Sequence, residues 1–162
     1  MLKPRHASVC RGCFFNMVIT VNRKARHDYT VVETFEAGIC LVGSEVKSCI
    51  AKQVSIAEAY CVVRDGELFM RGASIAEYAN SSVFNHEKVR DRKLLMHRRQ
   101  ILKLKSEVER NGMTIVPLDM HLSERGRIKV SIGLCRGRNT VDKREHVRER
   151  ETNLELRRKI SR

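Results

Sequence analysis

The chain has 162 residues, and its 32 Lys and Arg against 19 Asp and Glu leave a formal net charge of +13. A positive field of that size attracts polyanions, so composition points first to nucleic acid, with an anionic membrane surface as the other possibility. The length suits one domain with its own core plus a tail, and no apolar run approaches the roughly 20 residues of a helical membrane span.

Residues 1–21 read as an N-terminal extension. Its apolar run from Phe14 to Val21 follows Lys3, Arg5 and Arg11, but Asn16 and Thr20 interrupt it and no small-residue cleavage site follows, so it is not read as a leader. Asn22-Arg23-Lys24-Ala25-Arg26-His27-Asp28-Tyr29 then gathers basic groups and a ring ahead of the first strand. The β-rich residues 30–35 and 39–42 flank a small turn at Glu36-Ala37-Gly38. Ser44, with Glu45 in the first turn, is a good N-cap for a short helix running to about Ile50.

Residues 60–64 and 67–71 flank Asp65-Gly66, a type I′ hairpin signal because both turn residues tolerate positive φ. From Asp91 to Asn111, the apolar Leu94, Leu95, Ile101, Leu104 and Val108 recur at helical spacing, and Gly112 follows as a C′ residue, which predicts one long helix. Residues 113–123 and 128–135 are two more strands joined by Glu124-Arg125-Gly126-Arg127. In the second, Ile128, Val130, Ile132 and Leu134 alternate with Lys129, Ser131 and Gly133, so one face is core and the other solvent. Six short strands with about three helices give residues 22–135 a mainly β fold with α, a small OB-like six-stranded β-barrel.

After Cys135 the character changes. Residues 136–162 carry ten basic residues against five acids, and their only large apolar side chains are Val141, Val147, Leu154, Leu156 and Ile160. That is too little apolar surface to offset ordering entropy, so this tail is expected to be disordered alone and helical on an anionic partner.

The six cysteines are Cys10, Cys13, Cys40, Cys49, Cys61 and Cys135, with a single close pair. They form neither a disulfide framework nor a four-ligand zinc set, so reduced thiols, a cytoplasmic setting and no metal or cofactor are expected. His86-Glu87 with Asp91, or His27-Asp28, are the acid–base pairings on offer; neither has a third group, and no catalytic residue is expected.

Two basic constellations remain. Around Lys24, Arg26, His27 and Tyr29, guanidinium forks suit phosphate and rings suit bases; spacing alone favours a solvated loop, a preference that the basic composition narrows. Arg90, Arg92, Lys93, His97, Arg98, Arg99 and Lys103 crowd the first half of the expected long helix, against the macrodipole's preference for acids there. An anionic partner explains that choice, as does a solvated face opposite the Leu94, Ile101 and Leu104 stripe.

Several motifs in order are more specific than any one. The run Asn22 to Tyr29 is followed by Glu33-Thr34-Phe35-Glu36-Ala37-Gly38-Ile39, Gly43-Ser44-Glu45-Val46-Lys47-Ser48, Asp65-Gly66-Glu67 and Phe84-Asn85-His86. Arg92-Lys93-Leu94-Leu95-Met96-His97-Arg98-Arg99, Val116-Pro117-Leu118, Lys129-Val130 and Gly137 leading to Asp142-Lys143-Arg144 complete the series. From Asn22 to Arg150 the chain resembles the SsrA-binding protein (small protein B) family.

That resemblance implies a β-barrel adaptor that binds the transfer-RNA-like domain of transfer-messenger RNA at its elbow. With elongation factor Tu and GTP, the complex enters the empty A site of a stalled ribosome, and translation resumes on the RNA's own tag-coding frame. The resemblance places elbow contacts at Glu36, Leu95 and His97, phosphate contacts at Lys24, Arg26, Lys47, Arg92 and Lys93, and further RNA-facing positions at His27, Glu45 and Arg98. Contacts with the decoding centre and messenger channel fall on Gly137, Arg138, Asp142, Lys143 and Arg144. A monomer with no membrane partner is expected.

The chain departs from the family pattern in places. Where the family continues after Lys47-Ser48 with Leu-Arg-Ala-Gly-Lys, this chain has Cys49-Ile50-Ala51-Lys52-Gln53, without the Arg and the turn glycine. Asn139 replaces a common basic residue and Val141 a usual ring. The first sixteen residues have no counterpart, so Met17 stands beside Met1 as a candidate translation start, which intact mass would decide. Two other function classes compete. A generic single-strand binder needs aromatics clustered on a sheet face, and Tyr29, Tyr60 and Tyr78 do not share a strand. A basic RNA-processing enzyme needs metal- or His-dependent turnover.

Overall fold

A computed structural model of the chain describes residues 17–78 and 86–138. Within them the elements run β1 Met17–Val21, α1 Arg23–Asp28, β2 Tyr29–Ile39, α2 Gly43–Ile50, β3 Val54–Ser55, β4 Tyr60–Arg64, β5 Glu67–Arg71, β6 Ser74–Ile75, β7 Arg92–Leu95, α3 Arg98–Asn111, β8 Thr114–Leu122 and β9 Ile128–Gly137. The architecture is mainly β with three helices among the described residues. Seven strands pair in the order β1-β8-β4-β5-β7-β2-β9, and β9 also pairs with β8, so the ladder from β8 through β4, β5, β7, β2 and β9 closes on itself. β3 and β6 form a separate two-stranded sheet.

Period-two alternation decides which side chains enter the ring. Leu68 and Met70 of β5, Leu94 of β7, Met120 of β8, and Val130 and Ile132 of β9 are buried in one core with Ala37 of β2. α3 closes over this core with Leu104, and Lys103 ties it to β2 through Glu33, 2.7 Å from either carboxylate oxygen, and over the Phe35 ring at 5.5 Å. A smaller cluster of Ala25, Val116, Leu118 and Cys135 seats α1.

The β4–β5 hairpin is as expected, with Asp65 at φ 53° and Gly66 at φ 75°. Gly112 ends α3 in the left-handed region, and β8 and β9 lie where alternation puts them.

The structure corrects three expectations. There is no turn at Glu36-Ala37-Gly38; β2 runs straight through, with Glu36, Ala37 and Gly38 paired to Ser131, Val130 and Lys129. A full ladder to β9 outweighs the local turn preference of one glycine. The expected helix over residues 91–111 is divided. Arg92–Leu95 is strand β7, paired to β5 and β2, and α3 starts only at Arg98. Leu94 and Leu95 therefore point to opposite faces, one buried and one exposed. The run from Asn22 is no loop. Asn22 is buried, its Oδ1 accepts from Ala25 N at 2.8 Å as the N-cap of α1, and its Nδ2 donates to the carbonyls of Ile56 at 2.8 Å and Pro117 at 3.1 Å.

β1 starts at Met17 and pairs with β8, and β9 continues through Arg136 and Gly137 opposite Thr30 and Tyr29. α2 starts at Gly43 rather than being capped by Ser44; the Glu45 carboxylate accepts from the Val42 N–H at 2.8 Å instead. At its other end, the N–H groups of Lys52 and Gln53 close back on the carbonyls of Cys49 and Ser48, both at 2.9 Å. This closure puts Lys52 at φ 59°, the left-handed conformation that usually takes glycine.

The described cysteines are free: Cys40 is exposed, while Cys49, Cys61 and Cys135 are buried. Burial pushes the Cys49 and Cys135 thiols up to about 11. The expectations for residues 1–16, for Phe84 and Asn85, and for the tail from Asn139 lie outside the described residues.

Candidate nucleic-acid interface

The outward positions of β8, β9, β2, β7 and β5 form one continuous face. Register places Asp119 opposite Ser131, Ser131 opposite Glu36, His121 opposite Lys129, Lys129 opposite Gly38, and Gly38 opposite Leu95. Gly38 matters for its lack of a side chain: a Cβ there would lie 3.3 Å from the Leu95 Cβ. Leu95 therefore lies close over β2 yet stays 51% exposed. It forms the ridge between two shallow hollows. One, of about 420 Å³, is lined by Val46, Arg127 and Lys129 among others, and the second, of about 510 Å³, by Glu67, Lys93, Arg98 and Ile101 among others.

Beside this ridge Glu36 sits in a polar chain. Lys129 Nζ donates to its Oε1 at 3.0 Å, and His121 Nε2 lies 3.4 Å from its Oε2. The other ring nitrogen of His121 is 3.1 Å from Asp119 Oδ1, which also accepts from the Ser131 hydroxyl at 2.8 Å. The Lys129 ammonium holds the Glu36 carboxyl below the ordinary carboxylate range, with His121 adding to the effect. Arg125 and Arg127, from the turn between β8 and β9, line a further hollow with Glu36 and Lys129.

The face thus collects Glu36, Lys93, Leu95, His97 and Arg98 from the expected set. Lys93 is half-buried and paired with Glu67, and His97 and Arg98 are exposed at the start of α3. It adds His121, Arg125, Arg127 and Lys129, which residue-by-residue reading did not put in the site. The alternation of β9 already marked Lys129 as outward, but no local signal placed His121 against Glu36.

Other expected residues lie elsewhere. Arg92 is fully buried: its Nε donates to Glu45 Oε1 at 2.9 Å and its Nη1 to the Ala73 carbonyl at 2.7 Å. Further bonds reach the carbonyls of Arg90 and Lys88. Glu45 is buried with it and also paired to Arg90. Burial pushes the Glu45 carboxyl up, but Arg90, the Val42 N–H and Arg92 together outweigh this and hold it below its ordinary range. Lys47 is exposed on α2, its ammonium 5.1 Å from the centroid of the Tyr78 ring.

Lys24, Arg26 and His27 sit on α1, with Lys24 paired to Glu58 at 2.7 Å. Gly137 and Arg138 are close to them: Arg138 N donates to the Asp28 carbonyl at 3.1 Å and its Nε to Thr30 Oγ1 at 3.0 Å. Roughly 23 Å of strand separates Tyr29 from Glu36, at about 3.3 Å per residue, so α1 and the Glu36–Leu95 ridge occupy opposite ends of β2. Asp142, Lys143 and Arg144 lie outside the described residues. Among the described residues no cluster of three or more His, Cys, Asp or Glu side chains is placed to hold a metal ion, and no helix is long and apolar enough to cross a membrane.

A closed antiparallel sheet with cations around an exposed leucine and a partnered carboxylate defines a small β protein with a candidate polyanion-binding face. Comparison with known proteins carries this to a family. The profile of the SmpB protein family matches residues 19–162. The chain is 45% identical over 142 residues to the SsrA-binding protein of Symbiobacterium thermophilum, covering 88% of this chain and 90% of that one. It is 46% identical over 153 residues to the SsrA-binding protein of Roseiflexus sp., covering 94% and 96%. Its structure resembles a chain, 43% identical, from work described as "tmRNA-SmpB: a journey to the center of the bacterial ribosome", with a TM-score of 0.64 over 80% of this chain and 94% of that one. The chain belongs to the SmpB protein family.

Proposed function

We propose that this chain is a non-catalytic RNA adaptor of trans-translation, which binds the transfer-RNA-like domain of transfer-messenger RNA and delivers it to the A site of stalled ribosomes for rescue and peptide tagging. The observation that carries this reading is the ridge of Leu95 over Gly38 beside the partnered Glu36, in a chain of this family. Unstacked bases at an RNA elbow pack against an apolar side chain, and a carboxylate accepts from base or ribose donors. Lys93, Arg98, Arg127 and Lys129 surround that pair and suit phosphate, while His97 adds a ring at the edge.

In this reading the closed ring is an OB-like β-barrel, and the two ends of β2 serve two partners. The Glu36–Leu95 end takes the RNA. β9 runs out at Gly137 at the α1 end, and Gly137, Arg138, Asp142, Lys143 and Arg144 address the decoding centre and messenger channel. Lys24, Arg26 and His27 then reach RNA from the same end. Glu45 and Arg92 support the face from inside by anchoring β7. Elongation factor Tu contacts the chain only through the shared RNA, and the protein works as a cytoplasmic monomer without a cofactor.

The test is binding of the full chain to transfer-messenger RNA, an ordinary transfer RNA and a generic single strand at several salt concentrations. Preference for transfer-messenger RNA that survives rising salt is expected, because phosphate contacts alone do not discriminate. Equal affinity for all three overturns the proposal.

A further inference from the structure

We propose that His121 is a positioning residue of the RNA-binding face, holding the Glu36 carboxylate oxygen that Lys129 does not take and making RNA affinity depend on the protonation of its ring. This deepens the reading of that face as RNA-binding and rests on it.

The side chain is 10% exposed, and its ring lies between two carboxylates, with Nδ1 3.1 Å from Asp119 Oδ1 and Nε2 3.4 Å from Glu36 Oε2. A neutral imidazole has one N–H and one lone pair, so it can donate to only one of them while the other faces the lone pair. An imidazolium donates to both. The two protonation states therefore hold Glu36 differently, the protonated one giving each carboxylate oxygen its own cationic donor, Lys129 at Oε1 and His121 at Oε2.

Charged and polar groups reach the ring from three strands. β8 supplies Asp119, β2 supplies Glu36, and β9 supplies Lys129 and the Ser131 hydroxyl, which donates to Asp119. β1 places the uncharged Val18 opposite His121, and the turn after β8 brings Glu124, Arg125 and Arg127 around Glu36. Immediately about the ring, two carboxylates face one ammonium, a negative excess that protonation of His121 cancels. RNA laid on this surface favours the protonated ring, so binding takes up a proton and affinity rises on acidification. Carboxylate oxygens have about four acceptor sites between them, so Glu36 held by Lys129 and His121 still has sites for RNA donors.

The experiment measures binding of a transcribed transfer-RNA-like domain of transfer-messenger RNA, at about pH 6 and about pH 8 and constant ionic strength, by the native chain, His121→Gln, His121→Phe and Glu36→Gln. Every histidine other than His121 is common to all these chains, so their contributions cancel in the comparison. The native chain is expected to gain about threefold more affinity on acidification than His121→Gln or Glu36→Gln does. His121→Phe should bind more weakly than His121→Gln at both values, because glutamine can still donate to Glu36 and phenylalanine cannot. A His121→Gln variant that keeps the full native pH response, or a His121→Phe variant that binds like the native chain, overturns the inference. Should these variants fail to fold, as melting by circular dichroism reveals, proton uptake on binding is read on the native chain from heats in two buffers of different ionisation enthalpy, and its absence overturns the inference. A native chain that does not prefer this RNA over an ordinary transfer RNA sinks the functional reading itself, whatever the pH response.

Discussion

Arg92 Nε donates to Glu45 Oε1 at 2.9 Å, and neither side chain reaches solvent. The pair joins α2 to β7, so the strand that presents Lys93 and Leu95 outward is anchored by the residue just before them, pointing inward. Arg92→Met removes one partner of a buried pair, and a loss of about 3–5 kcal/mol in urea unfolding is expected. The same pair sets an acid limit. The folded Glu45 carboxyl is held below its ordinary range, so its contribution is fully present above the unfolded value of about 4.3 and is lost as pH falls through the folded one. Native stability should therefore drop with acidification below about pH 4, and less steeply in Glu45→Gln.

Lys52 adopts φ 59° to close α2, a conformation that costs a side-chain-bearing residue about 1–2 kcal/mol. Lys52→Gly removes that cost and loosens the unfolded chain by less, so a net gain of about 0.5–1 kcal/mol is expected in the same unfolding measurement. A drop in stability would show that the lysine side chain makes a compensating interaction.

The ridge itself is open to two substitutions. Leu95→Ala should weaken binding of transfer-messenger RNA by about tenfold, because bases lose an apolar surface to pack on, with stability changed by no more than about 0.5 kcal/mol because the side chain is half exposed. Gly38→Ala puts a Cβ 3.3 Å from the Leu95 Cβ and should weaken binding by lifting the ridge without removing it. Gel-shift titration of folded variants checks both, and unchanged affinity in both would remove the ridge from the interface.

Arg127→Ala tests the phosphate role of the turn between β8 and β9. Affinity should fall for every RNA alike, and the slope of log affinity against log salt should decrease by about 0.7–0.9 for each phosphate that is no longer neutralised. A change confined to one RNA would mean that Arg127 reads a base or a shape instead.

Asp142→Ala combined with Lys143→Ala and Arg144→Ala separates the two ends of the adaptor. RNA affinity should remain, while peptide tagging in a reconstituted translation system stops. Tagging at the native rate would refute the division of labour between the ends.

Local chemistry was legible wherever it decided the outcome by itself. Asp65-Gly66 specifies a tight hairpin because both residues tolerate positive φ, and Gly112 ends a helix for the same reason. Alternation along β9 separates its core and outer faces, and the ordered motifs from Asn22 to Asp142-Lys143-Arg144 were enough to point to the family that the profile match shows. Net charge indicated a polyanion, and nothing finer.

Tertiary structure decided the rest, because it depends on groups far apart in the chain. Leu94 and Leu95 fit a helical stripe until β5 and β2 pair with their segment, and only that pairing exposes one and buries the other. Arg92 and Lys93 look alike as neighbouring cations, yet the carboxylate of Glu45 draws Arg92 inside while Lys93 stays on the surface. Glu36 meets Lys129 and His121 across ladders joining residues more than eighty positions apart, which no window of sequence contains. The kind of protein followed from local signals; the face it presents followed from register, since a strand's pairing determines which of its alternating side chains point outward.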